Sequence, residues 1–298
     1  MLKGKKPEEK EKRLKMFVYG SAGVGKTTAA LKFPKSYIID TEHGTDFYAK
    51  TINAANSVVL HSLNPDEIKE ELKALLTEKH PYKTLIIDPV TQVYNATQEK
   101  WSRIFEKHAK STKDAEIQDF GMRYWGKVKS DFKAVQRLML ALDMNVIITA
   151  HQKDVYGNGM QKLGVGPDSM KGDEYLFDIV FRIDRVGGKL MAYKIKERSE
   201  PMDSPKFPNE FEWSYENFVK FYGKEIIEKE AKPMAMAAKT DIDRLNKLIE
   251  IVKIEDSDIQ KWLTKANVDS FEEFTKEQIN ASIEFVTKKL KQLNGGSK

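Results

Sequence analysis

The sequence contains no cysteine. Disulfides and thiolate metal sites are therefore excluded, and a reducing compartment is the natural setting. No apolar run approaches the roughly 18 residues that a membrane-crossing helix needs. The opening "MLKGKKPEEKEKRLK" has none of the apolar core of a secretory signal. A cytoplasmic protein with no membrane contact is the expectation. The five histidines show no metal-ligand spacing along the chain, and no zinc is assigned to them. Charge of one sign is scarce as well, with a formal net charge of +5. Such a balance is compatible with nucleic acid without indicating it, because spread charge usually means only a solvated surface. Internal repeats and low-complexity tracts are absent.

What is present is ordinary for a globular chain: 298 residues, 40% hydrophobic and 32% charged. That length holds one large domain, or a domain of ~230 residues with a small appendage. Residues 1–14 read as a basic, flexible tail. From Lys15 to about residue 227 short β-rich runs alternate with helical stretches. The strand candidates are "KMFVYG", "SYIID", "SVVLHS", "TLIIDP", "NVIITAH", "IVFRIDRV" and "LMAYKIKER". Their continuous apolar character suggests burial on both faces. With helical segments such as "PDEIKEELKALLTEK" between them, the order predicts an α/β fold, a mainly parallel sheet flanked by helices. Antiparallel pairing of the last two strands is expected at the Gly187-Gly188 turn. Residues 228–240 read as a linker. Residues 241–298 form a small, nearly neutral helical module, with helix-start spacing at Thr240, Ser257, Ser270 and Thr275.

The strongest motif is "GSAGVGKTT": Gly20, Ser21, Ala22, Gly23, Val24, Gly25, Lys26, Thr27 and Thr28. It satisfies G-x-x-x-x-G-K-T between a predicted strand and a predicted helix, the context the motif requires. The glycines let backbone N–H groups face nucleotide phosphates, and the helix N-terminus adds positive dipole. Lys26 is the candidate for the β- and γ-phosphates and the Thr27 hydroxyl for Mg2+. A second metal-holding acid belongs at a strand end, and "TLIIDP" supplies Asp88. Hydrolysis also needs a carboxylate to orient or deprotonate the attacking water. In "YIIDTEHGTDFYAK" a buried strand opens at once into an acid cluster, and Glu42 is the candidate base. Asp40, still at the strand terminus, is expected to support the site or cap the turn.

These segments carry a resemblance. "IIDTEHGTDFYA" is similar to the stretch of RecA-type recombinases in which a strand ends in Asp-Ala-Glu-His and the Glu is the catalytic base. "NVIITAHQKD" resembles the strand ending in Asn-Gln, so that Gln152 takes the place of the residue that senses the γ-phosphate and couples it to DNA. "MKGDEYLFDIVFRIDRV" resembles the end of the second DNA-binding loop and the strand after it. "YKIKERSEP" resembles the strand whose basic pair reaches a neighbouring subunit's nucleotide, which implies that role for Lys196 and Arg198. The resemblance spans roughly Lys15 to Tyr222 and implies a RecA-like P-loop core that uses ATP and Mg2+ and works as a homo-oligomer, ring or filament. The chain departs from the bacterial recombinase in lacking its N-terminal arm, in placing His151 where Asn is usual, and in its C-terminal module. In compactness it is closer to bacteriophage RecA-like ATPases, including Sak-type proteins that assist single-strand annealing. A phage-encoded ATPase would work in the host cytoplasm, and its helical module would be a candidate dock for a replication or recombination protein.

Two segments are candidates for nucleic acid. One is the polar stretch from Ser102 to Arg123. The other runs from Lys153 to Gly172 and holds five glycines and three lysines. Lys153, Tyr156, Lys162 and Lys171, with Met160, suit single-stranded DNA, where phosphate contacts and base stacking dominate. Trp101, Tyr124 and Trp125 read as helix-packing aromatics. Two rival readings remain open: an ATP-gated adaptor whose tail recruits a partner, and a kinase or signalling ATPase without DNA.

Overall fold

The computed structural model describes residues 12–157, 159, 161–198, 206–266 and 268–295. Most of the basic tail, Met160 and Ser199–Pro201 lie outside the described residues. Arg13 and Leu14 already belong to the fold. Arg13 is buried, pairs with Asp143 at 2.9 Å and donates to the carbonyls of Lys229 and Glu230.

The described strands form one sheet in the order β3-β2-β4-β5-β1-β7-β8-β9, with β6 added to the end of β5. They are β1 Lys15–Gly20, β2 Ser36–Asp40, β3 Val58–His61, β4 Thr84–Asp88, β5 Asn145–Tyr156, β6 Lys162–Pro167, β7 Ile179–Val186, β8 Lys189–Glu197 and β9 Glu210–Glu212. From β3 to β7 along that order every neighbour is parallel. The β7–β8 and β8–β9 pairs are antiparallel, the first turning through Gly187 and Gly188 as expected. All five residues of β4 are buried, as are the first six of β5. Parallel strands covered on both faces lose the polar alternation of a half-exposed sheet, which is why their apolar runs were continuous.

Helices α1 Lys26–Ala30, α2 Ala49–Ala54, α6 Tyr215–Tyr222 and α7 Lys224–Ile227 belong with the sheet. Met16, Val18, Ile38, Ile86, Ile147 and Phe181 from alternate strand positions pack in one core with Ala29, Ile52 and Phe218 from these helices. Phe181, Phe207 and Phe211 sit edge-on to one another or stacked, with centroids 5.1–5.7 Å apart. Offset aromatic packing of this kind adds to the area term.

The contacts divide the chain into two units that do not follow chain order. One holds the sheet: residues through Leu63, Pro81–Ala96 and Asp143–Ala231. The other gathers Asn64–His80, Thr97–Leu142 and everything from Lys232. It contains α3 Pro65–Thr77, most of α4 Val90–Ala109, α5 Asp114–Ala141, α8 Lys239–Val252, α9 Asp256–Ala266 and α10 Lys276–Gly295. Asn64 caps α3 by accepting from the Asp66 N–H at 3.0 Å, and Pro65 occupies its first turn. Lys69 and Lys100 both reach Asp131, while Arg137 holds Asp269 at 2.7 Å and Glu273 at 3.1 Å. The C-terminal helices are thus tied to α5. Within the segment read as a linker, Met234 donates to the Leu76 carbonyl and Ala237 to that of Phe274. Of the four helix-start signals, Thr275 and Gln278 complete the reciprocal capping box, at 2.8 and 3.2 Å.

Candidate active site

Strand β1 ends at Gly20 and the chain turns through Gly25 into α1. A methyl group at Gly20 would stand 2.3 Å from the Ile183 carbonyl oxygen. Gly25 has φ 86°, and a methyl there would meet Leu190 at 2.6 Å. Both positions therefore require glycine, for close approach and for left-handed backbone respectively. The helix that follows is only five residues long. The Lys26 ammonium donates to the Gly20 and Ser21 carbonyls at 2.9 and 2.8 Å. Burial pushes its pKa down, against the pull of Asp88 and Glu42.

Asp88 ends β4 beside Asp40 at the end of β2, since the two pair in register. Its carboxylate is buried and accepts from the hydroxyls of Thr149 and Thr27. Burial raises its pKa despite those bonds and despite Lys26, with Asp40 adding to the rise. A buried acid whose partners are mainly hydroxyls is short of positive charge, and a hard divalent cation supplies it. Thr27 and Asp88 therefore fit Mg2+.

The turn after β2 is organised by Asp40. Its side chain is 1% exposed and accepts from the N–H groups of Glu42, Gly44 and Thr45, and from the Thr45 hydroxyl. Burial alone would raise its pKa; the Thr45 and backbone bonds outweigh it and hold the carboxyl low. Thr41 donates to the Pro89 carbonyl at 2.9 Å, fixing the turn to the end of β4. Glu42 then stands half-exposed between two partners. Gln92 donates to it at 2.6 Å, and the His151 Nε2 lies 3.1 Å away. The residue singled out as a departure from the recombinase pattern thus faces the candidate base. Thr91 secures this arrangement by accepting from the His151 N–H at 3.0 Å and donating to the Asp168 carbonyl at 2.7 Å. Gln92, Thr91 and Thr149 were not singled out from the sequence. Their only signal was position, next to "DP" and ahead of His151.

A family model described as an AAA domain matches residues 12–200. The chain belongs to that family. Its structure is similar to a crystal structure of the RadB recombinase, at 15% identity over 62% of this chain and 82% of that one, with a TM-score of 0.35. No curated protein matches the sequence.

In this AAA domain the remaining candidates are spread more widely. Gln152 lies one residue past His151, opposite Pro167, and its buried Oε1 has no hydrogen-bond partner. The stretch from Lys153 to Gly172, expected to be a flexible glycine-rich loop, is largely a β-hairpin. Strand β5 continues to Tyr156 and pairs antiparallel with β6, with an irregularity at Val155/Tyr156. The glycine count concealed the β-forming Val155, Leu163 and Val165, and Gly166 gives the room that the Val155 side chain needs. Lys153, Tyr156, Lys162 and Lys171 are exposed. Lys153 pairs with Asp168 at 3.0 Å and Lys162 with Asp154 at 2.8 Å.

Lys196 and Arg198 are not brought to the phosphate loop of their own chain. Lys196 stands level with Val180 of β7 and Phe17 of β1, short of Gly20. Its ammonium donates to the carbonyls of Glu174, Tyr175 and Phe177. Arg198 bonds the Tyr175 carbonyl at 2.8 Å and Asp178 at 3.3 Å. The Ser102–Arg123 segment forms the end of α4 and the start of α5; the side chains of 114–120 and 122 lie outside the described ones. Trp101 donates to Asp131 and Tyr124 to the Gln98 carbonyl, both packing roles, while Trp125 is half-exposed. No helix among the described residues is long and apolar enough to cross a membrane.

Proposed function

We propose that the chain is a Mg2+-dependent ATPase of the RecA type whose turnover is coupled to single-stranded DNA, in recombination or strand annealing. The observation that carries the catalytic part is the setting of Glu42, held by Gln92 and His151 and electrostatically coupled to the phosphate-loop lysine. In this reading Lys26 leaves the loop carbonyls for the β- and γ-phosphates. Thr27 and Asp88 hold Mg2+, which neutralises phosphate charge when bound. Glu42 takes a proton from the attacking water, and Gln92 and His151 keep its carboxylate aimed. Gln152, with a buried amide atom unsatisfied, senses the γ-phosphate and passes its state to the β5–β6 hairpin.

DNA binding rests on that hairpin. Tyr156 and Leu163 are exposed near its tip with Lys162, and Lys153 is exposed near its base, a stackable surface with cations along it. The ion pairs to Asp168 and Asp154 are exposed ones, so their exchange for phosphate contacts costs little. Lys196 and Arg198 serve a neighbour in a homo-oligomer, as their distance from their own loop suggests.

A second reading is favoured by a different feature. The C-terminal helices carry a groove lined by Trp262, Ala266, Phe274, Ala281 and Phe285, the last 55% exposed. This suits an ATP-gated adaptor whose tail docks a replication or recombination partner. ATP hydrolysis measured with and without single-stranded DNA separates the two. Stimulation lost in a Lys153→Ala, Lys162→Ala, Lys171→Ala variant supports the DNA reading. Intact basal hydrolysis with no single-strand binding rejects it in favour of the adaptor.

A further inference from the structure

The acid turn holds a second group of ligating side chains that the nucleotide chemistry does not use. His43, Asp46 and His61 each present one donor atom, and these atoms lie within 4.8 Å of one another. The His43 and His61 rings are nearly parallel, 10° apart in plane with centroids at 4.6 Å. The His61 Nε2 is 3.6 Å from an Asp46 oxygen. Ligands of a tetrahedral zinc-class ion stand about 3.3 Å apart, given bonds near 2.0–2.1 Å. The in-plane lone pairs of nearly parallel rings do not converge, so ligation requires the exposed side chains to rotate out of this stacked arrangement.

The surroundings are those of a ligand rather than of a chance surface pair. The other ring nitrogen of His61 faces the buried Asp40 carboxylate at 3.5 Å. A carboxylate behind a ligating imidazole fixes its tautomer and leaves Nε2 free to bind a metal. Asp40 and His61 are paired in register across β2 and β3, so this alignment is built into the sheet. His43 has φ 57°, a left-handed conformation that histidine adopts at a cost. That conformation carries the ring back over His61. Seventeen residues stand between His43 and His61, so a reading by spacing along the chain does not group them.

We propose that His43, Asp46 and His61 form a binding site for a zinc-class divalent cation. The ion closes the turn that carries Glu42, with Asp40 as outer support and a position left open to water. This site is distinct from the Thr27–Asp88 pair and stands whether or not the ATPase reading holds.

The test uses the full-length protein without nucleotide, titrated with Co2+ alone and followed by its visible spectrum, then with Zn2+ in competition. One equivalent is expected, with affinity reduced at least tenfold in His61→Gln and in His43→Asn. Asparagine tolerates the left-handed backbone, so the second variant preserves the turn. Asp88→Asn should leave this binding unchanged. Hydrogen exchange gives the location: Zn2+ should slow the amides of Glu42–Asp46 in the native protein and not in His61→Gln. Wild-type affinity retained in both histidine variants overturns the site. So does binding that disappears only with Asp88→Asn, protection confined to another segment, or no uptake by the folded protein.

Discussion

Two turns leave the same end of the sheet, and they are made in opposite ways. The one after β1 is built from what is missing: no side chain fits at Gly20 and none is comfortable at Gly25. The one after β2 is built around a single side chain, the Asp40 carboxylate, which gathers three N–H groups and a hydroxyl. The first is a backbone device, specified by residues adjacent in the chain. The second draws partners from β3, α4 and β5, so its specification is spread over more than a hundred residues, from Asp40 to His151. A turn made by omission announces itself as a motif. A turn made by a buried charge does not.

Substitutions that damage one turn and spare the other sharpen this contrast. The largest effect is expected from Glu42→Gln, which should lower ATP turnover by about 10²-fold or more with nucleotide affinity nearly unchanged, as for loss of a general base. Near-native turnover would leave the acid turn without a catalytic role. Next is Asp40→Asn, which weakens several charge-assisted bonds and should cost about 2–3 kcal/mol of stability. Its pH dependence follows from the lowered pKa. The folded state holds this carboxylate ionised more readily than the unfolded chain does. The stabilisation is therefore complete above the unfolded value and fades as pH falls through the folded one. Thermal unfolding of wild type and Asp40→Asn should converge in acid; a constant gap would remove the ionised carboxylate as the cause.

Gly25→Ala should come third, with strain of about 1–3 kcal/mol from the left-handed backbone. Here the loss should appear in nucleotide affinity, while the Glu42 turn keeps its amide protection. The smallest effect is expected from His151→Asn. Removing one partner of Glu42 should reduce kcat about tenfold, near the ~1.4 kcal/mol of a single hydrogen bond, with KM unchanged. An equal change in KM would mean that His151 helps to bind nucleotide rather than to aim the acid.

The seven strands read from the sequence are all present. β1, β4 and the start of β5 are buried almost throughout and leave a continuous apolar run. β3 and β8 are only partly covered and were legible from their β-forming residues. The phosphate loop was legible because it depends on neighbours in the chain, and so were the bonds that Asp40 makes within its own turn, to residues 42–45. The long-range partners of that turn were not. Strand β6 was hidden because five glycines outweighed two β-branched residues, Val155 and Val165, in a local reading. The partition of the helices was hidden for a tertiary reason: α3 and α5 lie between strands in the chain yet group with the C-terminal helices. Gln92 and Thr149 carry no local signature. A polar residue on a helix or in a strand becomes a partner of Glu42 or Asp88 only once the strands are in register.

Thr91 and Gln92 are consecutive residues at the start of α4. One grips the hairpin side of the molecule, through His151 and Asp168; the other grips the acid. Consecutive residues in the first turn of a helix have no slack between them. The hydrogen bonds that reach the base of the hairpin and those that reach the carboxylate thus start from adjacent residues, one peptide bond apart.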